Sequence, residues 1–266
     1  MIGEDFDWRQ YIDNYEDLKI HLKNESEARN HYIDFGIKEG RTYKMRKREE
    51  LSKKYLNGNG IEIGALHRPL KVFDVNVKYI DRISEKELRE QYPELNNEKI
   101  CVDMIDDGER LEKIKDGEVD FIIANHFLEH CEDLIGTLKT HLNKLKSGGI
   151  LFYAVPDKKY TFDIDRDMTT YEHILKDHQD GGQKSRYDHY KDWVYNIKVN
   201  REGGNEEEKI KNLMNIKYSI HFHVWDYDRF KEIIGKIKNY LNNFEIVKYT
   251  QNKDIDNEII IILRKE

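Results

Sequence analysis

Cysteine is almost absent from this sequence, since only Cys101 and Cys131 occur in 266 residues. Two thiols in apolar surroundings give no disulfide framework and are typical of buried residues in a reducing compartment. No apolar run approaches the roughly 18 residues that a transmembrane helix needs, and the first residues lack the pattern of a signal peptide. We therefore expect a soluble, cytoplasmic protein without a membrane span.

An excess of charge of one sign is also missing. Lys and Arg number 45 against 52 Asp and Glu, and the two signs alternate along most of the chain. Without a basic stripe, the sequence gives no reason to expect nucleic acid as a partner. Short apolar runs and 17 Tyr distinguish the chain from a disordered one, and 266 residues suffice for one α/β domain with a small appendage. The oligomeric state does not follow from these features.

The first 43 residues have the spacing of short amphipathic helices. Apolar and aromatic residues recur three and four positions apart, and Gly36 and Gly40 are typical of helix ends. A further helix is expected from about Lys44 to Leu56, before the turn at residues 57–60. We predict an N-terminal helical module over residues 1–43 and a larger domain over residues 44–266.

From residue 61 onward, strand-like and helix-like segments alternate, which predicts a mostly parallel sheet with helices on both faces. Residues 250–257 are too few for the crossover of about a dozen residues that parallel strands need, so the last strand should be antiparallel. The predicted fold is α/β: a Rossmann-like, seven-stranded, mostly parallel sheet. The predicted strands are Ile61–Ile63, Val77–Ile80, Ile100–Met104, Phe121–Ala124, Ile150–Val155, Phe244–Tyr249 and Glu258–Leu263.

Helices are predicted between several of these strands, notably over His126–Leu145 and Asp228–Leu241. Residues 157–217 interrupt the alternation with polar, His-rich and Tyr-rich sequence. This stretch is longer than a structureless loop should be in a compact domain. We expect it to be a substrate-side insertion with its own helices.

The first residues that indicate a ligand-binding site lie where the predicted strands end. Gly64 directly follows the strand that contains Glu62, and Asp81 ends the next strand. Ligands of open α/β sheets bind outside the carboxyl ends of the strands, where a glycine permits close approach and a carboxylate can accept ribose hydroxyls. A nicotinamide cofactor is disfavoured because Gly58 and Gly60 precede the strand, whereas its binding motif places the glycines after it.

Further motifs follow in order: Val102–Glu109, Val119–His130 and Leu145–Asp157. With the two strand ends, they make the chain resemble class I S-adenosylmethionine-dependent methyltransferases over roughly Leu51–Glu266. One departure is that Leu66 and Arg68 stand where the family commonly has glycines. The resemblance implies S-adenosylmethionine as cofactor. The implied cofactor-binding residues are Glu62, Gly64 and Ala65 at the methionine end, Asp81 at the ribose, Asp107 and Gly108 at the adenine, and Asn125 and His126 at the sulfonium.

Three further segments indicate the type of methyltransferase and of substrate. Residues 155–163 and 220–225 are similar to methyltransferases of glycan and polysaccharide biosynthesis, and residues 7–41 resemble a small helical module that accompanies sugar-handling enzymes. The implied reaction is O-methylation of a sugar hydroxyl, with a small molecule or a glycan as acceptor.

Methyl transfer to a hydroxyl needs an aligned acceptor oxygen and a base, for which histidine is best suited near neutral pH. His126, His221 and His223 are the candidate catalytic residues, and His221 and His223 alternate on an extended segment. Asp163 and Asp165 could hold sugar hydroxyls or merely cap a helix. The full set of expected substrate-binding residues is Asp157, Asp163, Asp165 and His178.

His126, Glu129 and His130 form an H-x-x-E-H pattern, which on a helix would bring three metal-binding side chains to one face. A zinc-dependent hydrolase is therefore an alternative function. A non-catalytic nucleoside-binding module is another. An accessory Mg²⁺ at the methyl acceptor is a lesser alternative within the methyltransferase hypothesis, and the sequence leads us to assign no metal ligands.

Overall fold

The computed structural model describes residues 6–197, 205–253 and 257–266. The chain divides into two compact units between Lys54 and Tyr55. None of the helices in these ranges combines the length and apolar character that crossing a membrane requires.

The first unit is built from short helices, as the spacing of its apolar residues predicts. Phe6, Tyr11, Leu18 and Ala28 form its buried core, and tyrosine side chains pack around them. Asp7 accepts a hydrogen bond from the Gln10 backbone N–H and so begins the first helix. The helices are α1 (Trp8–Asp13), α2 (Glu16–His21), α3 (Glu25–His31) and α4 (Lys47–Tyr55), with a π-helical turn at Tyr32–Gly36.

The second unit contains the predicted seven-stranded sheet. The strands are β1 (Asn59–Ile63), β2 (Asn76–Asp81), β3 (Met104–Ile105), β4 (Val119–Asn125), β5 (Leu145–Val155), β6 (Phe244–Asn252) and β7 (Glu258–Lys265). Their order across the sheet is β3-β2-β1-β4-β5-β7-β6. The first five strands pair in parallel, and β7 is antiparallel to both of its neighbours. The predicted fold class is confirmed.

The second unit also contains six α-helices among its described residues. They are α5 (Glu85–Gln91), α6 (Leu134–Lys144), α7 (Tyr171–Asp180), α8 (Arg186–Asn196), α9 (Glu206–Asn215) and α10 (Tyr227–Leu241). The main core joins α6 and α10 to the central strands, and β7 contributes a run of fully buried residues at Ile259–Ile262. Such a run is expected for a strand that is buried on both faces.

Two predicted elements differ from the structure. The third strand was predicted from Ile100 but spans only Met104–Ile105, because the side chain of Asp103 accepts the Tyr79 N–H at 2.8 Å in place of a backbone carbonyl. The helix predicted from His126 begins at Leu134, where Asp133 caps it.

The H-x-x-E-H pattern therefore does not lie on an α-helix, and that premise of the zinc hydrolase hypothesis is wrong. His126 has a φ of +51°, in the left-handed region that L-residues seldom occupy. Its backbone N–H donates to Ala154 at 2.7 Å, which continues the sheet pairing beyond β4. Only Leu128–His130 is helical here, as a single 3₁₀ turn.

The polar stretch after β5 forms helices, as predicted. α7, α8 and α9 follow two short 3₁₀ turns at Lys158–Tyr160 and Phe162–Asp165. A separate apolar cluster holds α8, α9 and the extended segment before α10 together; its buried members are Tyr190, Trp193, Val194, Ile197, Ile210, Ile220 and Phe222.

Candidate active site

A cavity of about 950 Å³ lies at the carboxyl ends of β1, β2 and β4. This volume is at the upper end of the range for small-molecule sites, so the cavity has room for a nucleoside cofactor and a second reactant. Strand-end loops form one wall and the segment after β5 forms another. Among the predicted cofactor residues, those that line the cavity are Gly64, Asp81, Asp107, Gly108 and His126.

Gly64 leaves the cavity open beside β1. Its φ is +65°, and an added Cβ would have no neighbour within 4 Å. Leu66, which stands where the family commonly has a glycine, also has a positive φ, of 48°. Its side chain lines the cavity and packs against the apolar cluster that contains Leu88. Leu66 is thus accommodated without filling the space beside Gly64.

Glu62 and Ala65 are not among the cavity-lining residues of the described chain. Glu62 is buried, and both of its carboxylate oxygens accept the backbone N–H of Leu70, at 2.9 and 3.1 Å. This carboxylate therefore fixes the loop that follows Gly64, and its influence on a ligand acts through that loop.

Asp81 reaches the cavity from the end of β2. Burial raises the pKa of its carboxyl above the usual value, while the backbone N–H groups of Ile83 and Arg82 act in the opposite direction. A half-buried carboxylate at this place can accept hydrogen bonds from a pair of hydroxyls.

Gly108 is held by a residue that the sequence analysis did not identify. An added Cβ on Gly108 would lie 2.7 Å from Ile63 and Phe127, so no larger residue fits. His141 on α6 donates from Nε2 to the Gly108 carbonyl at 2.7 Å, and its Nδ1 accepts the Tyr153 hydroxyl at 2.7 Å. Burial lowers the pKa of His141 to about 4, so the ring is neutral and this tautomer is fixed. The sequence does contain a signal for this role, because His141 is a polar residue on the apolar face of α6.

Asn125 and His126 follow β4. Both side-chain amide atoms of Asn125 are buried without a hydrogen-bond partner in the described part of the chain, so a ligand that satisfied them would gain binding energy. Burial alone would lower the pKa of His126, but the carboxylates of Glu129, 3.6 Å from its Nδ1, and Glu258 raise it to about 9. Its Nε2 lies 2.9 Å from Glu258. His126 is therefore protonated near neutral pH and is unsuited to accept a proton.

Three side chains form a group that we call the cavity cluster: Glu129, His130 and His221. One carboxylate oxygen and one nitrogen of each ring lie within 4.8 Å of one another. His130 lines the cavity and donates from Nδ1 to the Ile220 carbonyl at 2.8 Å, which leaves Nε2 as an acceptor. His221 is oriented in the same way, by a 2.6 Å hydrogen bond from Nδ1 to Asp163.

Glu129 is fully buried, and neither of its oxygens has a hydrogen-bond partner of normal geometry among the described residues. Burial raises the pKa of this carboxyl, but the neighbouring histidines outweigh it and hold the pKa below its usual value. Burial lowers the pKa of His130. The cavity cluster thus presents a neutral imidazole to the cavity and an ionised carboxylate behind it.

The predicted substrate-binding residues have other surroundings and do not line the cavity among the described residues. Asp157 caps a 3₁₀ turn through the Lys159 N–H, and Asp163 binds Arg166 at 2.7 Å as well as His221. Asp165 is exposed. His178 lies 2.9 Å from Asp133, which does line the cavity.

His223 is also separate from the cavity. It is 1% exposed, and burial lowers its pKa to about 3. Of the three candidate bases, none both lines the cavity and is neutral near pH 7, because His126 is charged and neither His221 nor His223 is among the described residues that line it.

The second wall of the cavity consists of residues that no strand-end motif indicates. Tyr190 is buried and its hydroxyl donates to the Tyr218 carbonyl at 2.8 Å. Arg186 pairs with Glu132 at 2.8 Å. Lys217, Tyr218 and Ser219 add polar groups beside them. These residues come from the inserted segment and the chain just after it, far in sequence from the strand ends.

The residues present fit S-adenosylmethionine. Gly64 leaves space at the bend, Asp81 offers a carboxylate at the second strand end, and Asn125 has an unsatisfied amide. Gly64 and Asp81 line one cavity at the place where ligands of open α/β sheets bind; Asn125 does not itself line it but precedes His126, which does.

The chain was also compared with known proteins. A family model described as a methyltransferase domain matches residues 8–200, which is more than half of the chain. No curated protein sequence matches.

Solved structures with a similar fold include three that are 10–15% identical. The PH0226 protein from Pyrococcus horikoshii OT3 is 14% identical, with a TM-score of 0.46 over 91% of this chain and 93% of that one. A SAM-dependent methyltransferase from Aquifex aeolicus is 10% identical, with a TM-score of 0.43 over 83% and 90%. Another from Methanosarcina mazei is 15% identical, with a TM-score of 0.42 over 80% and 95%. On the match to the family model, this chain belongs to the methyltransferase-domain family.

Proposed function

We propose that this protein transfers a methyl group from S-adenosylmethionine to a hydroxyl of a sugar or sugar-containing acceptor. The observation that carries the proposal is that one cavity is lined both by Gly64 and Asp81, at the strand ends, and by the neutral His130. The cofactor, when bound, supplies an electrophilic methyl group. The chain itself must then bind the acceptor, align its oxygen and take its proton.

His130 is the proposed base. Its Nδ1–H is engaged by the Ile220 carbonyl, so Nε2 carries the lone pair that accepts the hydroxyl proton. The ionised Glu129 next to it stabilises the positive charge that the ring acquires. His221, whose ring centroid is 4.7 Å from that of His130, acts as a positioning residue held by Asp163.

A sugar acceptor is supported by the second wall. Tyr190 and Tyr218 contribute aromatic side chains to this wall, and Arg186, Lys217 and Ser219 contribute hydrogen-bond donors. This mixture of flat apolar surface and polar groups suits a polyhydroxylated ring.

The test is formation of S-adenosylhomocysteine from S-adenosylmethionine with matched acceptor panels: free and nucleotide-linked sugars, catechols, and amines. We expect turnover with sugars, and a His130→Ala variant should lower kcat by about 100-fold or more. His21→Ala is the control, because His21 is an exposed residue of α2 in the first unit. Turnover with amines alone would contradict the hydroxyl acceptor. Cofactor binding without turnover on any acceptor would instead favour a non-catalytic nucleoside-binding module.

A divalent cation at the cavity cluster is the alternative to a free base, because a carboxylate and two imidazoles also suit a metal. Activity that survives chelation supports His130 as base. Activity that is lost with chelator and restored by Mg²⁺ assigns the cluster to a cation.

A further inference from the structure

A second group of polar side chains lies in the inserted segment and the extended stretch after it, and none of its members lines the cavity. We call it the insertion cluster: His173, Asp177, His189 and His223. His173 and Asp177 are one turn apart on α7, His189 lies on α8, and His223 lies on the extended segment before α10. One ligand atom of each residue lies within 4.8 Å of those of the others.

Three of these atoms are already spaced as ligands of one ion. Nε2 of His173 is 3.1 Å from Oδ2 of Asp177, Nε2 of His189 is 3.3 Å from the same oxygen, and the two nitrogens are 3.2 Å apart. A tetrahedral Zn²⁺ with bonds of about 2.0–2.1 Å requires ligand atoms about 3.3 Å apart. The three observed distances are close to that edge length.

His223 provides an independent observation. It is almost fully enclosed, yet neither of its ring nitrogens makes a hydrogen bond of normal geometry with a described residue. Its ring stands edge-on to that of His189, with centroids 5.5 Å apart. Burying an imidazole whose nitrogens make no hydrogen bond of normal geometry is unfavourable unless something else satisfies them. A metal ion held by the other three side chains would be that partner.

We propose that the insertion cluster binds one Zn²⁺ ion as a structural metal centre. Three imidazoles and one carboxylate match the preferences of Zn²⁺, and four protein ligands close its coordination sphere. None of the four lines the cavity among the described residues, so the ion would not meet the substrate.

The ion would tie α7, α8 and the segment before α10 to one another. These elements carry part of the cavity wall, namely Gly181, Arg186 and Phe222. Zinc binding therefore fixes the acceptor side of the cavity. The ligands must be neutral histidines and an ionised aspartate, so binding releases any protons that they hold.

The test is metal analysis of the full-length protein after incubation with Zn²⁺ and gel filtration. The wild-type chain should retain one zinc equivalent that the His189→Ala variant lacks. His189→Cys should restore it, because a thiolate is also a zinc ligand. The matched control is Glu129→Gln, which alters the cavity cluster and should keep this equivalent.

Substitution with Co²⁺ gives a second readout on the wild-type protein alone, so the test holds even if a variant does not fold. We expect the intense visible absorption of a tetrahedral Co²⁺ site, and Zn²⁺ should displace it. Folded wild-type protein that retains no zinc would overturn the proposal. Zinc that remains in His189→Ala but is lost in Glu129→Gln would overturn it too. The readouts do not involve methyl transfer, so they are separate from the test of the proposed function.

Discussion

Asp81, at the end of β2, has the most specific contact that we expect of any side chain. It should accept hydrogen bonds from the two ribose hydroxyls of the cofactor. Replacing it with alanine would leave those hydroxyls without their acceptor in a half-buried place. We expect Asp81→Ala to weaken S-adenosylmethionine binding by about 1–3 kcal/mol, measured by calorimetry. Asp116→Ala is the control, because Asp116 pairs with Lys144 outside the cavity. Equal affinities for the wild type and Asp81→Ala would show that Asp81 does not bind the cofactor.

The raised pKa of Glu109 predicts that the stability of the fold depends on pH. Burial, and secondly the charge of Asp107, raise its pKa from 4.5 to about 7. The folded protein therefore binds more protons at this site than the unfolded chain between these values, and the free energy of unfolding falls as the pH rises through that range. Glu109→Gln should abolish this loss, so its stability relative to the wild type should rise by up to about 3 kcal/mol from pH ~5 to pH ~8.

Urea unfolding at the two pH values measures the difference. Glu112→Gln is the control, because Glu112 is exposed on the same stretch of chain. A stability difference between Glu109→Gln and the wild type that stays constant with pH would show that Glu109 titrates normally.

At the scale of the elements, two glycines of the β1 region should respond differently to alanine. A Cβ on Gly60 would overlap the ring and backbone oxygen of Phe121 on β4, whereas a Cβ on Gly64 meets nothing. We expect Gly60→Ala to cost about 1–3 kcal/mol or more through overpacking, and Gly64→Ala about 1 kcal/mol through its left-handed backbone. Thermal unfolding compares the two. A larger loss for Gly64→Ala would contradict the packing of β1 on β4.

Apart from β3, the strands were predictable because they contain β-branched and apolar residues in short segments between polar turns, most clearly at Phe121–Ala124 and Ile259–Ile262. The start of α6 was not, because His126–Cys131 has a helical pattern of apolar residues but a left-handed residue at its first position. Local pattern cannot reveal that the His126 N–H is taken by Ala154 across the sheet.

In the candidate site, too, some residues could be predicted from the sequence and others could not. Gly64 and Asp81 could be identified because parallel strands end at one edge of the sheet, which brings neighbouring strand ends together. The pairing of His130 with Ile220 joins residues 90 positions apart through an inserted segment. The insertion cluster likewise combines two helices and an extended segment. No spacing rule in the sequence connects such elements.

At the scale of the whole molecule, the chain comprises a small helical unit and a larger α/β unit that contains the complete cavity. The family match extends across both, from residue 8 to residue 200. The cavity, the cavity cluster and the insertion cluster all lie beyond Tyr55, so each proposal above concerns the α/β unit alone.

The most direct measurement is a crystal structure of the protein with S-adenosylhomocysteine. We predict that the ribose lies against Asp81, the adenine beside Asp107 and Gly108, and the sulfur toward Asn125 on the side of His130. A nucleoside bound elsewhere, or an empty cavity in crystals soaked at saturating ligand, would contradict the assignment of this cavity as the methyl-donor site.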